Sequence, residues 1–402
     1  MEQVWFSAAL WLGLALAATL LSIWLRISVA LTEIVVGTVA QLIIGAALGP
    51  QALDANESWV KFLAGVGAIV LTFLAGVELE PKSFLKDWRR VTLIGLVSFA
   101  APFVGAAAAA KFLLGWDSNA AWLAGVAMST TSVAVVYAVM LELGLNRTQF
   151  GKAILAACFI TDLGTVIALG LLFAPFTWRT AVFAGGLVVA MVVLLKLTRP
   201  FFRLYGGRTS ELEAKYLLFA LFALGGTAVW AGSEAVLPAY LIGMILAGTV
   251  GRDHALVRRL RTLTFGLLTP FYFIRAGSLV QLSALRAGLG TFLVLLAVKI
   301  AAKFVGVYPA CRASRYARGE AMYTTLLMST GLTFGTISAL YGLTHDIISP
   351  AQYSLLVAAV IASAVVPTWI ANRFFLPHHH VEAVRTPEVE SPSTTSVIVG
   401  VQ

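Results

Sequence analysis

Thirteen apolar runs of bilayer-spanning length follow one another along this chain, at roughly 5–24, 28–48, 59–77, 91–114, 120–141, 150–173, 180–197, 214–232, 235–250, 264–281, 287–310, 320–342 and 352–372. A helix needs about 20 apolar residues to cross the hydrocarbon core. Only helices and closed barrels satisfy their own backbone polar groups there. The short polar–apolar alternation that marks a barrel strand is missing from these runs. The fold class is therefore an all-α polytopic membrane protein with about 13 transmembrane helices. The run at 235–250 is the weakest of the set, being short and holding Pro238. Composition agrees, because only 12% of the 402 residues are charged and 59% are hydrophobic, where a soluble domain carries about 25% charge. The first run, Trp5 to Trp24, is too long for a signal-peptide core and reads as a retained span.

The loops fix an orientation. With the N-terminus outside, the inward connections hold Lys82, Lys86, Arg89 and Arg90, then Lys196, Arg199, Arg203, Arg208 and Lys215. They also hold Arg252, Arg258, Arg259 and Arg261, and Arg312, Arg315 and Arg318. The outward connections hold Asp54, Glu57, Asp117, Glu234 and Asp346, with Arg179 and Arg286 as basic exceptions. Positive charge concentrates on the cytoplasmic side of membrane proteins. The bias places the N-terminus outside and the C-terminus in the cytoplasm of an inner or plasma membrane. It also accounts for the net charge of +9 without nucleic acid as a partner; membrane lipid is the partner these charges meet. Residues 1–375 form the transmembrane domain, and 376–402, rich in Glu, Pro, Ser and Thr, read as a disordered cytoplasmic tail. His378, His379 and His380 sit at its start; three adjacent imidazoles make no metal cage by themselves and read as solvated. Cys158 and Cys311 lie in or at the end of apolar runs, so no disulfide framework is indicated.

One carboxylate stands out against this apolar background. Asp162 lies near the middle of the run 150–173, where a charge costs at least about 2.5 kcal/mol on insertion scales. Such a residue reads first as an ion or proton site, and otherwise as a structural group tied to a neighbouring helix. Polar clusters in two other spans resemble each other: Ala127-Met128-Ser129-Thr130-Thr131-Ser132 in the fifth and Leu327-Met328-Ser329-Thr330-Gly331 in the twelfth. Seven spans separate them, and an odd offset inverts the second copy, the mark of an inverted-repeat transporter. Small polar residues in mid-span point either to close helix packing or to helix breaks whose free backbone groups line a cavity. The repetition favours breaks, at Ser129 to Ser132 and at Ser329, Thr330 and Thr333. Three cations complete the set of intramembrane charges: Lys303, Lys299 one turn earlier on the same face, and Arg275. Either Lys303 or Arg275 could balance Asp162, with Glu78 or Glu33 serving the other.

These residues match a family. Gly65-Val66-Gly67-Ala68-Ile69-Val70-Leu71-Thr72-Phe73-Leu74-Ala75-Gly76-Val77-Glu78-Leu79 resembles the third-span signature of monovalent cation:proton antiporters. Thr131-Ser132, Ile160-Thr161-Asp162, Pro270-Phe271-Tyr272-Phe273 with Ala276-Gly277, and Lys303 in its span also look like theirs. The resemblance, to the cation:proton antiporter-2 type with a sodium/hydrogen exchanger-like membrane domain, runs in order from residue 5 to about 375. It implies an inverted-repeat antiporter fold with two crossed discontinuous helices. It also implies a core domain (about 91–197 and 287–375) and a dimer-forming scaffold (about 5–77 and 214–281), hence a homodimer. Charge-moving sodium exchangers carry two adjacent aspartates; Thr161 before a single Asp162 resembles the electroneutral branch, whereas Lys303 is typical of the charge-moving one.

The reading that follows is secondary antiport of Na⁺ or K⁺ against H⁺, with no cofactor and no enzyme activity. Burial penalises the charged carboxylate, so Asp162 holds either a proton or the transported metal ion, not both at once. Thr161, Thr131, Ser132 and Cys158 surround it in the expected ion- and proton-binding set, and Lys303 or Arg275 keeps the charge balance. A passive monovalent-cation channel or ion sensor on the same scaffold is the alternative, although no selectivity sequence of repeated carbonyls is visible. No zinc motif, nucleophile elbow or phosphate loop points to an enzyme.

Overall fold

The computed structural model describes residues 2–25, 28–49, 53–77, 87–173, 177–207, 210–233, 235–279, 282–377 and 379–380. Glu78, Lys82, Lys86, Arg208, Glu234, His378 and the tail 381–402 lie outside them. The described residues are helical, with no strand among them. In chain order the helices are α1 (Glu2–Leu25), α2 (Val29–Leu48), α3 (Ser58–Val77), α4 (Trp88–Phe112), α5 (Ser118–Ser129), α6 (Val133–Glu142), α7 (Gln149–Leu172), α8 (Trp178–Tyr205) and α9 (Leu212–Trp230). They continue as α10 (Val236–Leu246), α11 (His254–Leu263), α12 (Thr269–Ser278), α13 (Leu282–Ala287), α14 (Leu289–Ala313), α15 (Arg318–Met328), α16 (Thr333–Thr344) and α17 (Pro350–Phe374). Taking α5 and α6 as one interrupted segment, nine helices among the described residues are long and apolar enough to cross a bilayer.

Local chemistry sets the helix starts. Asp117 accepts from the amides of Asn119 and Ala120 at 3.1 and 3.3 Å at the head of α5. Thr148 accepts from Gly151 at 3.0 Å at the head of α7. Ser349 and Gln352 cap each other reciprocally around Pro350 at the head of α17. Each cap satisfies amides that the first helical turn leaves without a partner.

Two departures from the apolar-run reading have physical causes. The run at 235–250 becomes the short α10 followed by a turn. The run at 264–281 opens with a wide π-type turn over Thr264–Leu268 before α12. Pro270 has no N–H and its ring crowds the carbonyl four residues back, so the helix cannot enter α12 with ordinary pitch. Before that turn lies α11, an amphipathic helix that buries Leu256, Val257 and Leu260. Its exposed arginine face includes Arg259, which pairs with Glu211 at 2.8 Å.

Packing brings the interrupted segments to the centre. Helix α4 runs alongside α5, α7 and α14, while α2 packs on α12 and α3 on α10. The α2–α12 contact is close enough that a methyl group on Gly277 would collide with the Ile34 carbonyl. Small residues let membrane helices approach this closely, and packing of that kind drives their association. The α5–α6 segment is buried throughout its most apolar window, whereas α1 and α8 leave most of theirs exposed.

Candidate functional site

Both polar clusters are helix interruptions. Helix α5 ends at Ser129, the chain is extended at Thr130 and Ser132, and α6 begins at Val133. Helix α15 ends at Met328 and α16 begins at Thr333. The two interruptions touch. The Ser132 amide donates to the Thr330 carbonyl at 3.2 Å, and the Thr131 hydroxyl donates to the Met328 carbonyl at 2.8 Å. Backbone groups freed at membrane depth need such partners, and here each break serves the other.

Side chains close several remaining gaps locally. Ser132 caps the amide of Val135 at 3.3 Å, and Ser329 and Thr330 donate back to the carbonyls of Thr325 and Leu327 at 2.8 Å each. Ser129 donates to Val126 O and lies 3.2 Å from the Thr165 hydroxyl. Thr333 opens α16, but its side chain lies outside the described residues.

Asp162 projects from α7 into this region and is buried, and the Thr131 backbone amide faces its carboxylate. Its Oδ1 has no hydrogen-bond partner, a state that costs about 1–3 kcal/mol or more for a charged group. Thr161, beside it, donates its hydroxyl to Gly95 O and Ala157 O, both at 3.1 Å. Cys158, one turn earlier, is buried with Sγ 3.6 Å from Met328 Sδ.

Lys303 reaches the first break from α14. Its ammonium donates to Ser98 Oγ at 2.7 Å, Thr131 Oγ1 at 2.9 Å and Ser129 O at 3.2 Å. An ammonium has three donors, and here all three are used. The Ser129 carbonyl belongs to a helix C-terminus, whose partial negative charge favours a cation. Lys299, one turn back on α14, is buried with no hydrogen-bond partner for Nζ. Its Nζ fills the space where a side chain at Gly331 would otherwise stand.

Neither cation is in salt-bridge contact with Asp162. No ion pair within 4 Å joins Asp162 to Lys303, Lys299 or Arg275 among the described residues. Arg275 is placed elsewhere: its Nε donates to Ala55 O at 2.9 Å, in the connection ahead of α3. Helix α12 ends at Ser278, so Arg275 sits in its last turn and reaches that connection. The expectation that Arg275 could balance Asp162 is corrected on this ground. Of the three histidines, His379 stays exposed and His380 is half-buried, and both contact Glu320.

Sequence reasoning missed Ser98 and Thr165 as members of this centre, and named Lys299 and Gly331 without giving either a role in it. Ser98 is a lone serine in an apolar helix, and nothing in its immediate sequence marks it as a partner of Lys303. For Lys299 the signal was available, since it shares a helix face with Lys303.

The chain as a whole matches a known group of proteins. Residues 9–375 fit the family model described as sodium/hydrogen exchanger, transmembrane. The chain belongs to the sodium/hydrogen exchanger family. This exchanger is 24% identical over 352 residues to the probable Na(+)/H(+) antiporter 3 of Methanocaldococcus jannaschii, covering 83% of this chain and 89% of that one. It is 25% identical over 375 residues to the Na(+)/H(+) antiporter NhaS4 of Synechocystis, with 84% and 90% covered. Its fold is similar to the structure of the sodium proton antiporter MjNhaP1 from Methanocaldococcus jannaschii at pH 8. The TM-score is 0.70 at 15% identity, covering 96% of this chain and all of that one. The exchanger is an integral membrane transporter that carries out cation:proton antiport.

Proposed function

We propose that this exchanger moves Na⁺ or K⁺ against H⁺ one for one, with Asp162 as the group that binds proton and cation alternately. The observation that supports this most is the buried Asp162 Oδ1, which has no partner while it lies beside two touching helix breaks. An uncharged, protonated carboxyl or a bound cation would each relieve that burial, and the two exclude one another. The hydroxyls of Thr131 and Thr161, with carbonyls freed at the breaks, supply the hard oxygen ligands that a monovalent cation takes. Ser132, Ser329, Thr330 and Thr333 shape the breaks, and Cys158 packs against the second one. Lys303, with its three donors already used, serves as a fixed counter-charge for the carbonyl ends of the broken helices.

The wider architecture in this reading has 13 spans, with an inverted repeat that makes the two broken helices cross. A core domain (about 91–197 and 287–375) carries the site and moves against a dimer-forming scaffold (about 5–77 and 214–281) in a homodimer. Alternating access by rigid movement around a fixed mid-membrane site follows from such a repeat. The N-terminus faces outward, and the basic connections face the cytoplasm of the inner or plasma membrane.

The deciding experiment is pH-gradient dissipation in proteoliposomes on adding Na⁺, K⁺ or Li⁺, with the membrane potential free or clamped by valinomycin and K⁺. Wild-type exchange should be indifferent to the clamp, and Asp162→Asn should fall to the level of empty liposomes while remaining folded. Normal transport by Asp162→Asn would remove the aspartate from the mechanism. Dependence on the clamp would require a second proton carrier, and Lys299 is the buried cation left without a hydrogen-bond partner.

A further inference from the structure

Away from the intramembrane centre, three side chains from two distant parts of the sequence converge on one point. His380 Nε2 lies 2.8 Å from Glu320 Oε1, and His379 Nε2 lies 3.2 Å from the same oxygen. One ligand atom from each of the three residues falls within 4.8 Å of the other two. We propose that Glu320, His379 and His380 form a binding site for a divalent transition-metal cation of the Zn²⁺ class, at the end of the bundle where α15 begins and α17 has ended.

The donor set suits that class. Imidazole nitrogen and carboxylate oxygen bind zinc-type ions at about 2.0–2.2 Å, with tetrahedral geometry and often three protein ligands plus water. Tetrahedral bonds of that length set ligand atoms about 3.3 Å apart, close to the 2.8 and 3.2 Å found between Glu320 and the two imidazoles. The two carboxylate–imidazole separations are therefore already near those of a bound ion.

The ligands are also held in place. The His380 ring stacks on Phe150 at a centroid distance of 4.9 Å and an interplanar angle of 8°, and its amide donates to Pro377 O at 3.0 Å. Glu320 is steadied through its other oxygen, which accepts from the Ala317 amide at 2.9 Å. These are supporting contacts of the kind that orient metal ligands. Access is open from solution, since the His379 side chain is 63% exposed while Glu320 is mostly covered.

The two imidazole rings lie with centroids 4.1 Å apart, so one ion can meet both. A single divalent ion accepts a lone pair from each of the three ligands. Since the imidazoles must be neutral to bind, occupancy should weaken on acidification.

The test uses the full-length chain purified without a histidine tag, titrated with Zn²⁺ by calorimetry and with Co²⁺ by visible absorption. The expected result is one saturable equivalent per chain, weaker at acid pH and weakened about tenfold or more by losing any ligand. The variants are Glu320→Gln, which keeps an acceptor for the Ala317 amide, and His379→Asn and His380→Asn. Retention of proton-gradient exchange by these variants reports that they are folded. Binding that survives Glu320→Gln and His380→Asn at wild-type strength overturns the site, as does absence of saturable binding in the wild type. Because binding is measured directly, either result stands apart from the outcome at Asp162.

Discussion

The hydroxyl of Thr131 donates to the carbonyl of Met328 at 2.8 Å and accepts from Lys303 at 2.9 Å. One side chain thus joins the first helix break to the second and anchors the lysine that contacts the first. Replacing Thr131 by Val keeps the shape and removes both bonds. The Met328 carbonyl then loses this donor, and the ammonium loses one acceptor of three. Each buried group left without a partner costs about 1–3 kcal/mol, so Thr131→Val should melt well below the wild type in detergent. Thr131→Ser should stay near it.

Lys303 should behave as a brace. With Ser98, Thr131 and Ser129 using all of its donors, the ammonium has none left for another partner. Lys303→Met should therefore lower thermal stability, because three buried oxygens lose a donor together, and should slow exchange. The surviving exchange should remain insensitive to a potential clamp. A variant that turns voltage-dependent would show that the lysine takes part in the charge balance of each cycle.

How much of this centre the sequence displays depends on how rare its residues are at membrane depth. Asp162 and the two polar clusters are conspicuous because hydrocarbon tolerates few such groups, so their positions alone point to breaks and a buried carboxylate. Ser98 is different. A single serine can satisfy itself against its own helix, and only the packing of α4 on α14 reveals that it faces Lys303. Arg275 illustrates the opposite error: its apolar run looked continuous through residue 281, yet the helix ends at Ser278 and the guanidinium turns to Ala55. The contact of His380 with Glu320 was illegible for the same reason, since 60 residues separate them and no periodicity links them.

Gly331 offers a test of close packing at the second break. A methyl group there would collide with Lys299 Nζ and fall 2.9 Å from Thr130 Oγ1 and 3.2 Å from Ser363 Oγ. Lys299 is buried, so its ammonium must move within the interior to admit the methyl group. Overpacking of this kind costs about 1–3 kcal/mol. Gly331→Ala should lower the melting temperature and slow exchange. Pairing it with Lys299→Ala, which vacates the space, should recover part of the stability, as a double-mutant cycle would measure.

Thr161 carries the last prediction. The resemblance to charge-moving exchangers with two adjacent aspartates suggests Thr161→Asp as a one-step conversion. The structure argues against it. The Thr161 hydroxyl donates to the carbonyls of Gly95 and Ala157, and an ionised aspartate has no proton to give either. It would face two carbonyl oxygens while adding a charge beside Asp162, and like charges so close oppose one another's ionisation. Thr161→Asp should therefore be destabilised and should not acquire voltage-dependent exchange. Thr161→Val loses the single hydroxyl proton shared between those carbonyls, at about 0.5–1.5 kcal/mol of stability, and with it a proposed cation ligand, so exchange should slow as well. Melting curves for both variants, with exchange measured under a potential clamp, separate these outcomes. A stable Thr161→Asp protein whose exchange follows the clamp would mean that the helix can rotate this position away from Gly95 and into the ion site.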